Sequence, residues 1–372
     1  MNLKAIEESE SKHETLTFCD LDVFVLTYNR ARCLAIMLES LCCQTAQGFH
    51  IIVLNNASTD NTLEVIDKIR GDYPDRDIQV ITSNENIGNI GNFRLSQALA
   101  KNKYTAVFHD DDAIHPEYIE TAMNLFAQHP DAVVCTGNVH PVYNVKNCNW
   151  NILNKDYFLY PASQGVYFQI LYSRLVFQTV IYKTEIYKSL TFEYEKYGKL
   201  HDNIFLMEVS QMGPSILILD ACGRVGVSPK QDSNNLNSGP FPLEIYNIVK
   251  YIFDQIKSTK HAKPLLWNFA YFLYNWSYLS RFESWKVFCS RMKNEIFTVN
   301  EMKIYSFCFE RWSSFFARIK NKNFTRDDVK ILVAKIYMYI ANKSTQRHAK
   351  NVFKKEHVLH KYDNSIRCGL NL

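Results

Sequence analysis

The ten cysteines of this 372-residue chain form no CxxC pair and no metal-ligand spacing; apart from Cys42-Cys43 they stand singly. That pattern excludes a zinc module and a disulfide framework, and it fits reduced, mostly buried thiols of a cytosolic protein. Long hydrophobic runs are missing too. The longest, Leu265 to Trp276, is too short and too aromatic to span a bilayer. The opening residues, Met1 to Glu10, are polar and acidic, unlike a signal peptide. No internal repeat occurs, and Gly88 and Gly91 do not make a GxGxxG fingerprint, so a dinucleotide cofactor has no support. The glycines have two readings, close packing at a helix start or close approach of backbone to a ligand.

What is present is ordinary globular material, 47% hydrophobic and 22% charged, with 22 Tyr and 24 Phe. Charge is divided unevenly. Residues 251–372 carry 22 Lys and Arg against 9 Asp and Glu, whereas residues 1–250 carry 20 against 29. Such asymmetry points to a basic appendage on an acidic domain. The basic residues near the chain end, Arg347, Lys350, Lys354, Lys355 and Lys361, read either as a solvated helix face or as a patch attracted to an anionic membrane. No recognition module accompanies them, so nucleic acid is not an expected partner.

The chemistry begins at Asp110-Asp111-Asp112, three acids at the end of the apolar run Tyr104 to Phe108. Adjacent carboxylates repel and have low strand propensity, so stability does not account for them. A hard divalent cation, Mn2+ or Mg2+, would relieve the repulsion and share its coordination with substrate phosphates.

Upstream, Asp22 to Leu26, Ile51 to Leu54, Ile78 to Ile81 and Thr105 to Phe108 read as strands. Between them lie a helix with Leu34, Met37, Leu38 and Leu41 on one face, a helix from near Thr62 capped by Ser58 or Thr59, and a helix over Phe93–Lys101. This alternation predicts an α/β doubly wound, mostly parallel sheet with helices on both faces and ligands beyond the carboxyl ends of the strands. Tyr28, Asn55, Asn56, Gly88 and the acids all fall at those ends. Val176 to Tyr182 reads as a further strand, and Asp202 stands at the start of a helical pattern, where a plain helix cap is the local reading. Turn-rich residues 234–242 mark a boundary, and helical periodicity from Leu243, with later stretches such as Val329–Ile340, predicts a helical C-terminal region. The aromatic segment Trp267–Tyr278 reads as core between those helices. The expected division is an extension over 1–19, an α/β domain over 20–240 in two halves, about 20–115 and about 116–240, and a basic helical domain over 241–372.

Four segments, Val23-Phe-Val-Leu-Thr-Tyr-Asn-Arg30, Ile51 to Asn61, Asn84-Glu-Asn-Ile-Gly88 and Phe108-His-Asp-Asp-Asp112, together resemble the family-2 glycosyltransferases of the GT-A fold, in order and in spacing. The resemblance covers roughly residues 20–235 and implies that residues 20–240 are the catalytic domain, with a nucleotide-sugar half over about 20–115 and an acceptor half over about 116–240. It implies a metal-dependent, inverting transfer of a sugar from a nucleotide-diphosphate donor, a UDP-sugar first and a dTDP-sugar second, to a hydroxyl of a glycan or lipid-linked glycan. Bacterial polysaccharide or lipopolysaccharide synthesis is the implied setting, with the enzyme cytoplasmic or peripheral at the inner face of the membrane.

The resemblance assigns Thr27, Tyr28, Arg30, Asn55, Asn56, Asn86, Gly88, Asp110 and Asp111 to the nucleotide-sugar, with Arg224 and Lys230 on the diphosphate. It assigns Asp112 and Asp110 to the metal, Asp202 to the catalytic base and His201 to the acceptor side. A register set by Pro116 instead places His109 at the family's first acid. Asn55-Asn56 stands where the family usually has an aspartate, which leaves a base other than uracil open and gives some footing to a non-catalytic, GT-A-like binding protein. A retaining transferase or a nucleotidyltransferase on a similar sheet is the remaining alternative.

Overall fold

All seven residues of strand β1 (Leu21–Thr27) are buried, because the strand lies inside the sheet with a parallel neighbour on each side. A computed structural model describes residues 17–142, 150–162, 175–226, 241–257, 266 and 359–360. Helix α1 (Ala31–Cys42) turns Leu34, Met37, Leu38 and Leu41 into the core with no exposure. It returns the chain to β2 (His50–Asn55), which pairs with β1 so that Thr27 sits opposite Asn55. Helix α2 (Thr62–Asp72), β3 (Ile78–Thr82), α3 (Gly88–Leu99) and β4 (Tyr104–His109) repeat the unit. Strands β3, β2, β1 and β4 therefore run parallel, and their carboxyl ends share one edge. Parallel strands joined by helices must be apolar where both faces are covered, which the continuous Val, Ile and Leu runs supply.

Beyond β4 the sheet becomes mixed. The short strand β5 (Asp112–Ile114), helix α4 (Tyr118–Gln128), β6 (Val134–Val142), β7 (Tyr157–Tyr160), β8 (Ile181–Lys183) and β9 (Ser215–Gly226) follow. With β10 (Leu359–His360) the strand order is β10-β7-β9-β6-β8-β4-β1-β2-β3, and β5 pairs with β9. Strand β8 is antiparallel to β4 and to β6, whereas β6 and β9 are parallel. Helices α5 (Thr184–Ser189), α6 (Tyr194–Tyr197) and α7 (His201–Gln211) lie on the second half. Helix α8 (Phe241–Ile256) buries Ile248, Val249, Ile252 and Ile256; its Asn247 amide donates to the Lys196 carbonyl at 2.7 Å.

Three local expectations are corrected. Helix α3 begins at Gly88, five residues before Phe93, because Gly88 at φ 74° allows a turn that a side-chain-bearing residue would resist. The Cβ of a residue replacing it would meet nothing within 4 Å, so the glycine serves backbone conformation rather than tight packing. Val176–Tyr182 is not one strand. A 3-10 turn, Phe177–Thr179, precedes β8, held where the Thr179 hydroxyl donates to the Gly137 carbonyl at 2.6 Å. Finally, neither Ser58 nor Thr59 caps α2. Asp60 does, accepting from the Thr62 N–H at 3.1 Å and, through its other oxygen, from the Ala31 N–H at 3.1 Å.

Candidate active site

The turn after β1 and the turn after β2 are stitched together through Asn29, whose φ of 52° turns its side chain back over the loop. Its amide oxygen accepts from the Thr59 N–H at 2.7 Å, and its own N–H donates to the Ser58 hydroxyl at 2.9 Å. Asn is among the few side-chain-bearing residues that adopt this conformation readily. The two turns therefore form one rigid rim at the edge where the parallel strands end.

Behind that rim lies a cavity of about 460 Å³. Thr27, Tyr28 and Arg30 reach it from β1 and its turn, Asn56, Asn86 and Gly88 from the next two strand ends, and Asp110, Asp111 and Asp112 from beyond β4. Nine of the expected donor-site residues thus share one wall. Asn55 does not. It is fully buried behind the wall, where its amide oxygen accepts from the Ser58 N–H at 3.1 Å. Asn56 is both wall and brace, accepting from the Ile87 N–H at 2.9 Å and donating to Asn86 Oδ1 at 2.8 Å.

The acids are held asymmetrically. Asp110 accepts from the Thr27 hydroxyl at 2.8 Å and pairs with the Arg30 guanidinium at 3.2 Å; Asp111 pairs with the same nitrogen at 3.1 Å. Asp110 and Asp112 are each 3% exposed, whereas the Asp111 side chain is 23% exposed. Burial pushes the Asp110 carboxyl up to about 6 against the pull of Arg30 and Thr27. Burial and then the neighbouring Asp111 hold Asp112 well above the usual carboxylate range, opposed by the Gly226 N–H, which donates to Asp112 Oδ1 at 3.3 Å. Burial works against the Arg30 charge, but Asp110 and Asp111 together outweigh it. The pair is one-sided: the cation gains from it, while the buried acid still favours its proton.

That proton has a measurable consequence. Because the folded-state pKa of Asp110 lies above its ordinary 3.8, this group stabilises the fold fully below about pH 4. The contribution, up to about 3 kcal/mol, is lost as pH rises through about 6. Asp110→Asn removes the titration, so the mutant's melting midpoint is expected to gain on the wild type's between pH 5 and 7. A constant offset across that range, measured by calorimetry without ligand, would contradict the assignment.

Asp202 and His201 open helix α7 and do not line the cavity wall. Asp202 Oδ1 accepts from the Asn203 N–H and its side-chain amide, each at 2.8 Å. Their charges nevertheless reach His109, which is on the wall. Burial lowers the His109 pKa, Asp111 and Asp202 raise it, and Arg30 and His201 lower it, leaving a neutral imidazole. His201 is 8% exposed, its Nδ1 lies 2.9 Å from the Gly198 carbonyl, and its Nε2 has no hydrogen-bond partner among the described residues.

Arg224, on β9, stacks its guanidinium over the Trp150 ring at 4.8 Å, and its neighbour Val225, not Arg224 itself, lines the cavity. Lys230, the aromatic segment Trp267–Tyr278, the stretch Val329–Ile340 and the basic cluster from Arg347 to Lys361 lie outside the described residues.

Sequence reasoning missed Asn89, Asn92 and Gln178, which also line the cavity, and reached His109 only as an alternative register. Asn89 and Asn92 are three apart on α3 and would have been legible had the helix been started at Gly88. Gln178, in the 3-10 turn before β8, carried no signal.

Among the described residues no cage of three or more His, Cys, Asp or Glu side chains is formed. The three oxygen-bearing acids nevertheless suit Mn2+ or Mg2+, which commonly take one or two carboxylates and complete their shell with substrate phosphates and water.

Residues 22–194 match the family model described as glycosyl transferase family 2. An uncharacterized glycosyltransferase of Haemophilus influenzae is 27% identical over 128 residues, 34% of this chain and 39% of that protein. The chondroitin synthase of Pasteurella multocida is 29% identical over 107 residues, 28% of this chain and 11% of that protein. The chain thus matches well under half the length of these relatives. Among solved structures, S. aureus TarS 1-349 in complex with UDP-GlcNAc superposes with a TM-score of 0.55 at 16% identity, covering 88% of this chain and 92% of that one. The mannosyltransferase PcManGT of Pyrobaculum calidifontis, with GDP-Man and Mn2+, gives 0.50 at 15% identity, covering 91% and 88%. Residues 22–194 are a family-2 glycosyltransferase domain, and the fold is of the GT-A type.

Proposed function

We propose that this chain transfers a sugar, with inversion, from a nucleotide-diphosphate sugar to a hydroxyl of a glycan or lipid-linked glycan. The observation that carries this reading is the convergence of Thr27, Tyr28, Arg30, Asn56, Asn86 and Asp110–Asp112 on one cavity at the carboxyl ends of β1 to β4. A doubly wound sheet binds its ligand at that edge. Tyr28, 43% exposed at the rim, offers a face to the base. Asn56 and Asn86 border the same region, consistent with a pyrimidine, UDP first and dTDP second. Thr27 and Asp110 lie where a ribose would be oriented. Arg30 is the cation available to a diphosphate.

Asp112 and Asp110, with Asp111 beside them, would hold Mn2+ or Mg2+, which when bound neutralises charge developing on the leaving diphosphate. Asp202 is assigned to take the proton of the attacking hydroxyl, since a carboxylate opposite the leaving group gives in-line displacement. His201, fixed by Gly198, is placed on the acceptor side. The relative named chondroitin synthase supports a glycan acceptor, and we extend this to bacterial polysaccharide or lipopolysaccharide synthesis. No helix among the described residues is long and apolar enough to cross a membrane. Peripheral attachment at the cytoplasmic face through the basic C-terminal region is the corresponding proposal.

The test is a thermal-shift screen of UDP, dTDP, GDP and CDP with and without Mn2+. A ligand bound only by the native state raises the midpoint by RT ln(1 + [L]/Kd), about 2.7 kcal/mol at a hundredfold excess over Kd. One nucleotide is expected to stabilise strongly, and only with metal. No response to any of them would favour a non-catalytic binding protein.

A further inference from the structure

Both carboxylate oxygens of Asp110 are already engaged. Oδ2 accepts from the Thr27 hydroxyl at 2.8 Å, and Oδ1 is held by Arg30 Nη1 at 3.2 Å. The same nitrogen reaches Asp111 Oδ2 at 3.1 Å. An arginine facing one carboxylate commonly sets two N–H groups against its two oxygens. Here one nitrogen is divided between two carboxylates, so the guanidinium acts as a point charge between them, as a small cation would.

The two contacts on Asp110 differ in how firmly they are seated. Thr27 and Asp110 are each 3% exposed, whereas the Arg30 side chain is 42% exposed. The hydroxyl contact is enclosed, and an ion pair with one partner open to water is worth little. Arg30 is the one Lys or Arg on the cavity wall among the described residues, so the three acids share a single guanidinium there. A divalent ion held by Asp110 would need the oxygen that Arg30 occupies. Neighbouring positive charges repel strongly near a protein surface. Arg30 must therefore leave Oδ1 before that acid can take the ion. The group suited to receive the displaced guanidinium in the same cavity is a diphosphate.

We infer that Arg30 makes the three acids selective for a divalent ion that arrives with a diphosphate. It competes with the bare ion for Asp110 and Asp111, and it pairs with the diphosphate once displaced. The inference rests on the donor-site reading above, and within it on the metal assignment. The two ligands then assist each other: pairing with the diphosphate draws Arg30 off the acids, and loss of the acids frees Arg30 for the diphosphate. Coupling of this kind is reciprocal by thermodynamic necessity. Removing Arg30 should therefore help the bare ion and hurt the nucleotide. A plain phosphate contact behaves differently, since its loss weakens the nucleotide and leaves the bare ion alone.

The experiment is calorimetric titration of the full chain by Mn2+ alone, then by UDP, dTDP, GDP and CDP at saturating Mn2+. Wild type is compared with Arg30→Gln and Arg32→Gln. Arg32 is exposed and does not line the cavity, so the control removes the same charge two residues away. Arg30→Gln is expected to bind Mn2+ alone about three- to tenfold more tightly than wild type, the release of two partly exposed ion pairs. It is expected to bind the nucleotide about tenfold more weakly, the loss of one charge-assisted contact. Arg32→Gln should stay within about twofold of wild type in both titrations, because exposed charges are screened.

Unchanged or weaker Mn2+ binding by Arg30→Gln overturns the inference, as does a failure of that variant to bind millimolar Mn2+ at all. Equal tightening in Arg32→Gln would assign the effect to net charge and overturn it too. So would undiminished nucleotide binding in Arg30→Gln. The contacts of Arg30 at the start of α1 run through its backbone carbonyl, which accepts from the Cys33 and Leu34 N–H groups, so they survive the substitution. Arg30→Met, which keeps the apolar stem, carries the same two expectations if Arg30→Gln does not fold. Failure of every nucleotide to bind wild type overturns the donor-site reading itself. The Mn2+ titration contains no nucleotide, so the two failures are told apart.

Discussion

Asp202→Asn is expected to lower the transfer rate by about two to four orders of magnitude while leaving nucleotide binding and the melting midpoint close to wild type. The substitution keeps the side chain's size and one acceptor oxygen, so the contact now made by the Asn203 N–H at 2.8 Å can persist. What it removes is the charge, and with it the ability to take a proton. A carboxylate in the first turn of α7 also interacts favourably with the helix dipole, worth about 0.3–1 kcal/mol. A merely structural Asp202 would therefore cost a small shift in the midpoint and little rate. The two roles separate cleanly in a transfer assay run beside a melting curve and a nucleotide titration. A rate within tenfold of wild type would remove Asp202 from the chemistry and direct attention to His201, whose Nε2 has no hydrogen-bond partner among the described residues.

The parallel half of the sheet was legible because its strands are continuous apolar runs separated by one-helix connections, a pattern that admits few arrangements. Once β1 to β4 were placed, the positions of Tyr28, Asn56, Gly88 and the three acids at one edge followed from topology alone. The second half was less legible. Strand β8 has three residues, and its approach is set by a threonine hydroxyl bonded to a carbonyl 42 positions earlier in the chain. No local pattern encodes that contact.

The same limit applies within the site. Asn55 and Asn56 are adjacent and alike in sequence, but strand alternation sends one behind the wall and the other onto it. Asn92 is hidden by a glycine-initiated helix start, and Asp60 takes the capping role because its two oxygens can serve α1 and α2 at once. Arg224 had the residue type of a phosphate ligand, but its guanidinium lies over an aromatic ring.

Asp112→Asn should act on stability and function with opposite signs. The carboxyl is 3% exposed, stands beside two other acids, and is held well above the usual range by burial. At neutral pH the native state must either ionise it in a poorly solvated place or take up a proton, and the unfolded chain bears neither cost. Asparagine is neutral, nearly the same size, and can still accept from the Gly226 N–H. Removing the burden is expected to raise the ligand-free midpoint by about 2–4 °C, the shift that corresponds to roughly 1 kcal/mol in a domain of this size. The same change deletes an anionic oxygen from the acidic cluster, so stabilisation by nucleotide with Mn2+ should fall to the level seen without metal. Asp111→Asn provides the contrast: its side chain is more exposed and already paired with Arg30, so little ligand-free stabilisation is expected. A lower ligand-free midpoint for Asp112→Asn would mean that the acid is retained for folding. An unchanged metal-dependent shift would remove Asp112 from the metal site. The expected combination, a more stable protein that no longer responds to metal, is the signature of an acid retained for binding at the expense of stability.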